Sequence, residues 1–450
     1  MSGCDERCEV EPALLALRRL GLDGEVYSEN GYRAKAAVSD GEIESVEERH
    51  DRGIGVRVFL GGRVGFAFTT DLSPEAVRGT AELARDIARH ATADPAWRLP
   101  APEPVPPLPF PNEDAGTARV SMPRRVEMAR AIEEAARGAD PRVTRTRKAV
   151  VVDVGGEVRV ANTAGVDAGY RFSRALAWVD AVATEGGTSQ VGHHAGFALG
   201  SAGLDPALVG REAALKAIAK LGSAPGKTGR IPVVLDREVV AGLLDALAPA
   251  LSGRRILKST SFLAGRLGRP VASAAVTLVD DPRLPGAFVS CPADGEGLPT
   301  HRTVLIEKGR LEGYLHDTYS SGKMGTGRAG NTVRASYAGP PQIAPANLLL
   351  LPGPDSVEAL LSRAGRGVLI TEVMGLHTVD SISGDFSLGG SGRLIENGRL
   401  AAPVDRLAFS GNLLDLLASI EAAGSDLKLF PGGGGAPSVL LRELSVAGGA

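Results

Sequence analysis

The 450-residue sequence has few cysteines, few aromatic residues and no long apolar run. Only Cys4, Cys8 and Cys291 carry thiols, too few and too scattered for a disulfide framework. Free thiols at Cys4 and Cys8 are favoured over half a zinc site, because no second pair of ligands follows at a suitable spacing. A reducing cytoplasm is therefore the expected compartment.

Charge of one sign is also lacking. The 50 Lys and Arg residues nearly balance the 53 Asp and Glu residues, and the net charge is −3. Without a basic stripe, direct contact with nucleic acid is disfavoured. No run of about 18 apolar residues occurs, and the start MSGCDERCEVEP is unlike a signal peptide, so we expect neither a membrane segment nor export.

What the sequence has in abundance is glycine, with 58 residues, and apolar side chains, at 43%. The glycines have no period and separate strand-like segments, which is typical of a turn-rich protein with much β-sheet. The length allows two domains. Residues 1–222 are predicted to form the first and residues 231–450 the second, joined by a linker at residues 223–230.

The N-terminal half alternates helices with groups of strands. ALLALRRLGL predicts a first helix, and residues 25–71 predict an antiparallel meander whose turns lie at Asn-Gly, Asp-Gly and Gly-Gly pairs. Further helices are predicted from the cap at Ser73, around residues 124–139 and around residues 204–222. The proline-rich segment 99–111 must be extended and is interpreted as a surface crossover. This pattern indicates an α+β domain with an antiparallel sheet and flanking helices.

The linker contains GSAPGKT, which superficially resembles a phosphate-binding loop. The spacing from Gly222 to Gly226 is one residue short, and the order is helix, loop, strand instead of strand, loop, helix. Nucleotide binding is therefore disfavoured. Beyond it, one helix is followed by many short strands, with similar hairpins turning at Gly309 and Gly398. The second domain is predicted to be β-rich, with a large mixed or barrel-like sheet.

The helix of the second domain begins LDREVVAGLLDAL. In an H-E-x-x-x-H helix, two imidazoles bind zinc and the glutamate polarises the metal-bound water. Here Glu238 stands at the glutamate position, whereas Arg237 and Gly242 occupy the two ligand positions. Arginine offers no lone pair and glycine has no side chain, so two ligands are absent. Taken alone, the segment is an ordinary amphipathic helix.

Its surroundings change this interpretation. PVVLDREVVAGLLDAL, DGEGLPTHRTVLIEKGRLEGYLHD, GVLITEVMGLHTVDSISGDFSLGGSGRLIENGRL and the N-terminal GIGVRVFLGGRVGFAFTTD together resemble the TldD/PmbA family of zinc-dependent peptidases. The resemblance extends over nearly the whole chain. Family members are of two kinds: a TldD-type subunit with the H-E-x-x-x-H helix and a late cysteine, and a PmbA (TldE)-type subunit without them. The two kinds assemble into one peptidase for short or unfolded peptides.

This chain resembles the PmbA type, since no thiol or imidazole follows residue 377. The resemblance implies a metal-free subunit, with no cofactor of its own, that holds a peptide and pairs with a zinc-bearing TldD-like chain or, failing that, with itself. Glu238 would then be vestigial. Two alternatives stay open: a stand-alone hydrolase using Cys291 or histidines such as His301 and His316, and a non-catalytic binding protein.

Glycine-rich loops let another chain approach the backbone and pair with it as an added strand. Simple turns explain the same glycines equally well. Six polar residues in or near these loops are candidates for lining a peptide cleft: Arg328, Asn331, Arg334, His377, Ser383 and Asp385.

Overall fold

A computed structural model describes residues 10–448, which form a mixed α+β structure. The first half contains a six-stranded antiparallel sheet in the order β3-β2-β1-β4-β5-β6. Its strands are β1 (Asp23–Ser39), β2 (Glu42–Leu60), β3 (Arg63–Thr69), β4 (Val143–Asn162), β5 (Asp167–Glu185) and β6 (Thr188–Ala198). The predicted antiparallel sheet is therefore confirmed.

One predicted turn is wrong. Asn30 and Gly31 lie in the middle of β1, and Gly31 pairs with Asp51 on one side and Gly156 on the other. A Cβ atom on Gly156 would lie 2.4 Å from the carbonyl oxygen of Asn30. The glycines at this point thus allow two strands to approach closely, a use of glycine within a strand that sequence alone does not separate from a turn.

In the described part of this half, four α-helices flank the sheet: α1 (Glu11–Arg19), α2 (Pro74–His90), α3 (Met122–Gly138) and α4 (Pro206–Ile218). Ser73, Ser121 and Asp205 cap the last three by accepting hydrogen bonds from backbone N–H groups. The core between α3, α4 and the sheet consists mainly of alanine and valine. Small side chains bring the helices close to the strands, which fixes the position of α4 for the site described below.

The second half contains a closed five-stranded barrel and a second six-stranded sheet. The barrel consists of β8, β15, β16, β17 and β21, and the pairing of β17 with β21 closes it. The strands of this half are β7 (Ala224–Pro225), β8 (Gly229–Leu235), β9 (Leu278–Asp280), β10 (Thr303–Glu307), β11 (Arg310–Leu311), β12 (Thr332–Val333), β13 (Gln342–Ile343), β14 (Leu348–Leu350), β15 (Gly367–Met374), β16 (Asp385–Glu396), β17 (Arg399–Asn412), β18 (Ile420–Ala423), β19 (Lys428–Phe430), β20 (Gly434–Ala436) and β21 (Val439–Gly448). The predicted barrel-like sheet is confirmed.

The two similar hairpins form as predicted. Lys308 and Gly309 turn β10 into β11, and Asn397 and Gly398 turn β16 into β17, all four with positive φ. Such turns match the twist of the flanking strands.

Up to residue 448, five α-helices belong to this half: α5 (Arg237–Leu247), α6 (Gly253–Leu257), α7 (Thr318–Met324), α8 (Val357–Ala364) and α9 (Leu413–Ser419). Helix α5 follows β8 directly, and its apolar side chains lie in a core shared by the barrel and the second sheet. Within residues 10–448, no helix is both long enough and apolar enough to cross a membrane.

Buried ion pairs join the two halves. Arg57 of β2 lies between Glu25 of β1 and Glu296 of the second half, at 2.7 and 2.9 Å, and all three side chains are almost fully buried. Arg334 of the second half also pairs with Glu25. Because a charge is costly to bury unless it is paired, this network favours one particular docking of the halves.

Candidate functional site

The site begins where β8 enters α5. Asp236 ends the buried run of β8, and its carboxylate accepts a hydrogen bond from the Glu238 N–H at 2.9 Å, capping the helix. Val240, Leu243 and Leu247 then point into the core. The first turn of α5 is thereby fixed at the end of a barrel strand, facing α4 and β6 of the first half.

Glu238 is paired across this boundary. Its carboxylate accepts a hydrogen bond from the Lys216 ammonium of α4, and both side chains are partly exposed. Four residues further on, in the turn that follows α4, the Lys220 ammonium lies 2.6 Å from the carboxylate of Glu372 on β15. The motif glutamate thus belongs to an ion-paired seam between the halves, where each carboxylate already has a cationic partner.

The two ligand positions do not fit a zinc ion. Arg237 directs its guanidinium to the backbone oxygen of Asp426, 3.4 Å from Nη1. At Gly242, an added Cβ atom would lie only 2.7 Å from Cδ1 of Leu376, so an apolar side chain fills the space where a ligand would start. Neither position supplies a lone pair, and at the second the end of the Leu376 side chain would have to move before a larger residue could fit.

A cavity of about 210 Å³ lies between the halves at this seam. Its lining includes His193 of β6, Lys216 of α4, Lys220 of the turn after α4, and Glu238 and Glu372 of the second half. The charged groups of both signs can bind polar backbone or charged groups of a ligand. Within this cavity the carboxylate of Glu238 is already paired with the ammonium of Lys216.

Electrostatics at the seam favour a neutral imidazole at His194. Burial, followed by the nearby cations Lys428 and Lys216, lowers the pKa of His194 to about 3. Burial, together with Arg237 and Lys216, also lowers the pKa of Lys428. His193, the adjacent residue, lies on the opposite side of β6 and pairs with Asp180 at 2.7 Å. The adjacent histidines thus face different surroundings, as their positions in one strand predict.

The candidate peptide-contacting residues separate into two groups. Asn331 is buried and bonds to Thr303 and to the His316 N–H. The Arg334 side chain is also buried and bonds to Glu25 and Gly295. Both therefore use their polar groups inside the chain, as supports for the loops, whereas Arg328 is exposed.

The other three candidates lie in the segment at residues 376–385, whose first residues contact α5. His377 follows Leu376, the residue that contacts Gly242, and is exposed. Ser383 donates to Asp385 at 2.8 Å, and Asn412 donates to the other oxygen of the same carboxylate at 2.9 Å. The structure thus brings the start of the loop at residues 376–385 beside α5 and leaves the side chains of His377, Ser383 and Asp385 exposed.

Other possible catalytic groups are not assembled. Within residues 10–448, no group of three or more His, Cys, Asp or Glu side chains is placed to hold a metal ion. His316 is buried and bonds to Ser320, 3.1 Å from Nδ1. Burial raises the pKa of Cys291 to about 12, so its thiol is not an available thiolate near neutral pH. Cys4 and Cys8 lie outside the described residues.

Similarity to known proteins covers the whole arrangement. Domain 1, the central domain and the C-terminal domain of the PmbA/TldA metallopeptidases match residues 24–88, 117–221 and 228–448. The metalloprotease PmbA of Escherichia coli O157:H7 is 32% identical over 91% of this chain and 88% of its own length.

The chain belongs to the PmbA/TldD family. A metalloprotease TldD homolog of Haemophilus influenzae is 26% identical over 91% of this chain and 90% of its own length. The crystal structure of TldE from Thermococcus kodakarensis is 25% identical, with a TM-score of 0.89 over 97% of this chain and 100% of that chain. Relatives of this PmbA/TldD chain therefore carry both TldD and TldE names.

Lys216 and Lys220 were missed by sequence reasoning. They stand four residues apart, with Lys216 in the last turn of α4 and Lys220 in the turn that follows the helix, and Glu372 lies on β15 after a buried run. The spacing of the lysines is a usable signal of a shared face. Their carboxylate partners lie in the other half, however, and only the folded chain shows the pairing.

Proposed function

We propose that this chain is the metal-free subunit of a TldD/TldE-type peptidase, which holds the peptide while a zinc-bearing TldD-like subunit cuts it. The observation that carries the proposal is the state of Glu238, whose carboxylate is bound to Lys216. A glutamate engaged in this way beside two positions without lone pairs has no metal-bound water to polarise.

Substrate holding is supported by the mixed charges of the cavity at the seam. Lys216 and Lys220 can bind carbonyl or carboxylate oxygens of a peptide, and Glu238 and Glu372 can bind its N–H or ammonium groups. The exposed loop at residues 376–385 lies beside this region. A short or unfolded peptide offers these groups along an extended backbone, which a folded substrate does not.

The stand-alone hydrolase is less well supported. Its main candidate nucleophile, Cys291, is buried and has a raised pKa. Thiolate chemistry requires the opposite conditions, a lowered pKa and partial exposure. The few cysteines support a cytoplasmic location for the assembly.

The test compares three samples: the chain alone, an HExxxH relative from the same organism alone, and their mixture. We expect substoichiometric zinc in the isolated chain by atomic absorption and cleavage of an unstructured peptide by the mixture. A chelator should abolish that cleavage without changing the melting temperature of the isolated chain.

Two variants sharpen this test. Glu238→Gln in this chain should leave cleavage by the mixture within about twofold, because the carboxylate does no chemistry, whereas Glu→Gln in the partner's motif should abolish it. Stoichiometric zinc or peptide cleavage in the isolated chain would contradict the proposal. If the chain forms a stable homodimer and does not bind the HExxxH relative, the result would favour the non-catalytic binding protein instead.

A further inference from the structure

A second cavity, of about 340 Å³, lies where strands β5 and β6 meet the loop at residues 284–290 of the other half. Its lining combines Phe110 and Phe197 with Ala287, Ser290 and one cation, Arg174. This volume is at the lower end of the roughly 300–1,000 Å³ typical of small-molecule sites. A cavity of this volume fits a single amino-acid residue of a ligand, with its side chain and one backbone group, better than a long peptide segment.

Arg174 is buried there without a counter-charge. The residue is 6% exposed, and within residues 10–448 its guanidinium forms no ion pair with a carboxylate. It donates instead to neutral oxygens: the backbone oxygen of Phe288, that of Ser173 at 2.5 Å, and the backbone and side-chain oxygens of Asn112 at 3.0 and 2.8 Å.

These four hydrogen bonds leave one N–H group of the Arg174 guanidinium without an acceptor among residues 10–448. A guanidinium has five N–H groups, and the four hydrogen bonds use one on Nε, two on Nη1 and one on Nη2. The second N–H of Nη2 has no acceptor among residues 10–448. The pKa of Arg174 is lowered by burial, although the group stays cationic at neutral pH. An anion in the cavity would neutralise the charge of Arg174 and accept its remaining hydrogen bond.

Other buried arginines of the chain differ. Arg57 lies between two carboxylates, and Arg125 pairs with Asp153 at 2.6 Å. The Arg334 side chain pairs with Glu25. Since a buried cation normally has a carboxylate partner, its lack at Arg174, on the wall of a cavity, indicates that the partner comes from outside the chain.

We propose that Arg174 binds the C-terminal carboxylate of a peptide whose last side chain is aromatic or large and aliphatic. One carboxylate oxygen accepts the remaining Nη2 N–H, and the side chain packs between Phe110 and Phe197. This inference rests on the proposed function, because it assigns one end of the held peptide to a particular residue. It adds a specificity that the charged cavity at Glu238 does not provide.

The test is calorimetric titration of the isolated chain with acetyl-Ala-Ala-Phe as the free acid and as the C-terminal amide. We expect the acid to bind and the amide to bind about tenfold more weakly or worse, the loss of roughly one charge-assisted hydrogen bond. Arg174→Gln should remove the preference for the acid, whereas Arg171→Gln, an exposed charge change on the same strand, should keep it.

Equal binding of acid and amide, or no binding of either, would overturn the inference, and this comparison needs no variant to fold. Acetyl-phenylalanine separates the two sources of an aromatic carboxylate: binding of this small acid without binding of the tripeptide would point to a metabolite and also overturn it. The outcome is independent of peptidase activity. If the mixture cleaves peptides while the acid and the amide bind equally well, only this inference fails. If the acid binds preferentially but the mixture cleaves no peptide, the proposed function fails.

Discussion

At the scale of single residues, the carboxylate of Glu238 forms an ion pair with the ammonium of Lys216, which belongs to the other half of the chain. An exposed ion pair of this kind contributes about 0–1 kcal/mol to stability. The main effect of this ion pair is chemical, because the Lys216 ammonium is bound to the carboxylate that a zinc peptidase would use as a base. Gly242 adds a steric consequence, since Leu376 fills the adjacent space.

Gly242→His tests this closure. The imidazole must displace Leu376, because even a Cβ atom would lie 2.7 Å from its Cδ1, and since the end of this side chain can rotate away, we expect a loss of only about 1 kcal/mol in the free energy of unfolding. Gly79→His, in α2 with open space around Gly79, is the matched control and should change stability by less than about 0.5 kcal/mol. Urea unfolding measures both, and equal losses would contradict the steric argument.

His194 predicts a dependence on pH. Its pKa is about 3 in the folded chain against 6.5 for the free side chain, so below pH 6.5 the unfolded state binds a proton that the folded state does not. Its contribution to stability is therefore complete above pH 6.5 and declines by up to roughly 1.4 kcal/mol per pH unit as pH falls towards 3.

Unfolding measured from pH 7 to pH 5 checks this prediction. His194→Gln should flatten the decline, and His193→Gln, which changes the partly exposed neighbour, should do so much less. Identical slopes for the two variants would show that burial of His194 is not the cause.

At the scale of elements, the position of α4 decides whether the seam exists. Gly192 of β6 lies against this helix: an added Cβ atom would be 2.1 Å from the Ala213 oxygen and 2.3 Å from the Ala217 nitrogen. Backbone atoms cannot rotate away as the end of a side chain can. The same helix carries Lys216 and leads directly into the turn with Lys220, so the packing of one glycine supports both ion pairs with the second half.

Gly192→Ala should therefore destabilise the fold by about 1–3 kcal/mol and move α4 outward. Gly196→Ala, on the same strand, meets only the Cγ2 atom of Val209 at 3.2 Å and should be tolerated much better. In a crystal structure of Gly192→Ala, we expect the contact between Lys216 and Glu238 to lengthen. An unchanged contact with unchanged stability would refute the role of this glycine.

At the scale of the whole molecule, the two halves are held in register by the network of Glu25, Arg57, Glu296 and Arg334. Both cavities lie between the halves, so their shape depends on this docking. Replacing buried ion pairs by apolar groups can be neutral, but removing one partner leaves a buried charge unpaired.

Arg57→Met should cost about 3–5 kcal/mol, because it leaves the carboxylate of Glu296 without its cation. Arg78→Met, which breaks the exposed pair of Arg78 with Glu82 on α2, should cost only about 0.5 kcal/mol or less. Urea unfolding followed by tryptophan fluorescence measures both. Comparable losses would mean that the network does not dock the halves.

Much of the architecture could be predicted because it depends on local patterns. The cap at Ser73, the hairpin turns at Gly309 and Gly398 and the alternation along the strands are all readable within a few residues. The prediction of a turn at Asn30-Gly31 was wrong, because here the same pair of residues lies within a strand and lets β1 and β4 approach each other closely. The domain boundaries at residues 222 and 231 stay a prediction.

The candidate site divides in the same way. The sequence by itself determined the family resemblance and the lack of ligand atoms at Arg237 and Gly242, since both are properties of residue identity. Only the tertiary structure decided that Lys216 binds Glu238, that Asn331 and the Arg334 side chain are buried, and that Arg174 has no carboxylate partner among residues 10–448. Those properties depend on which side chains meet across distant elements, and no local pattern specifies the partner.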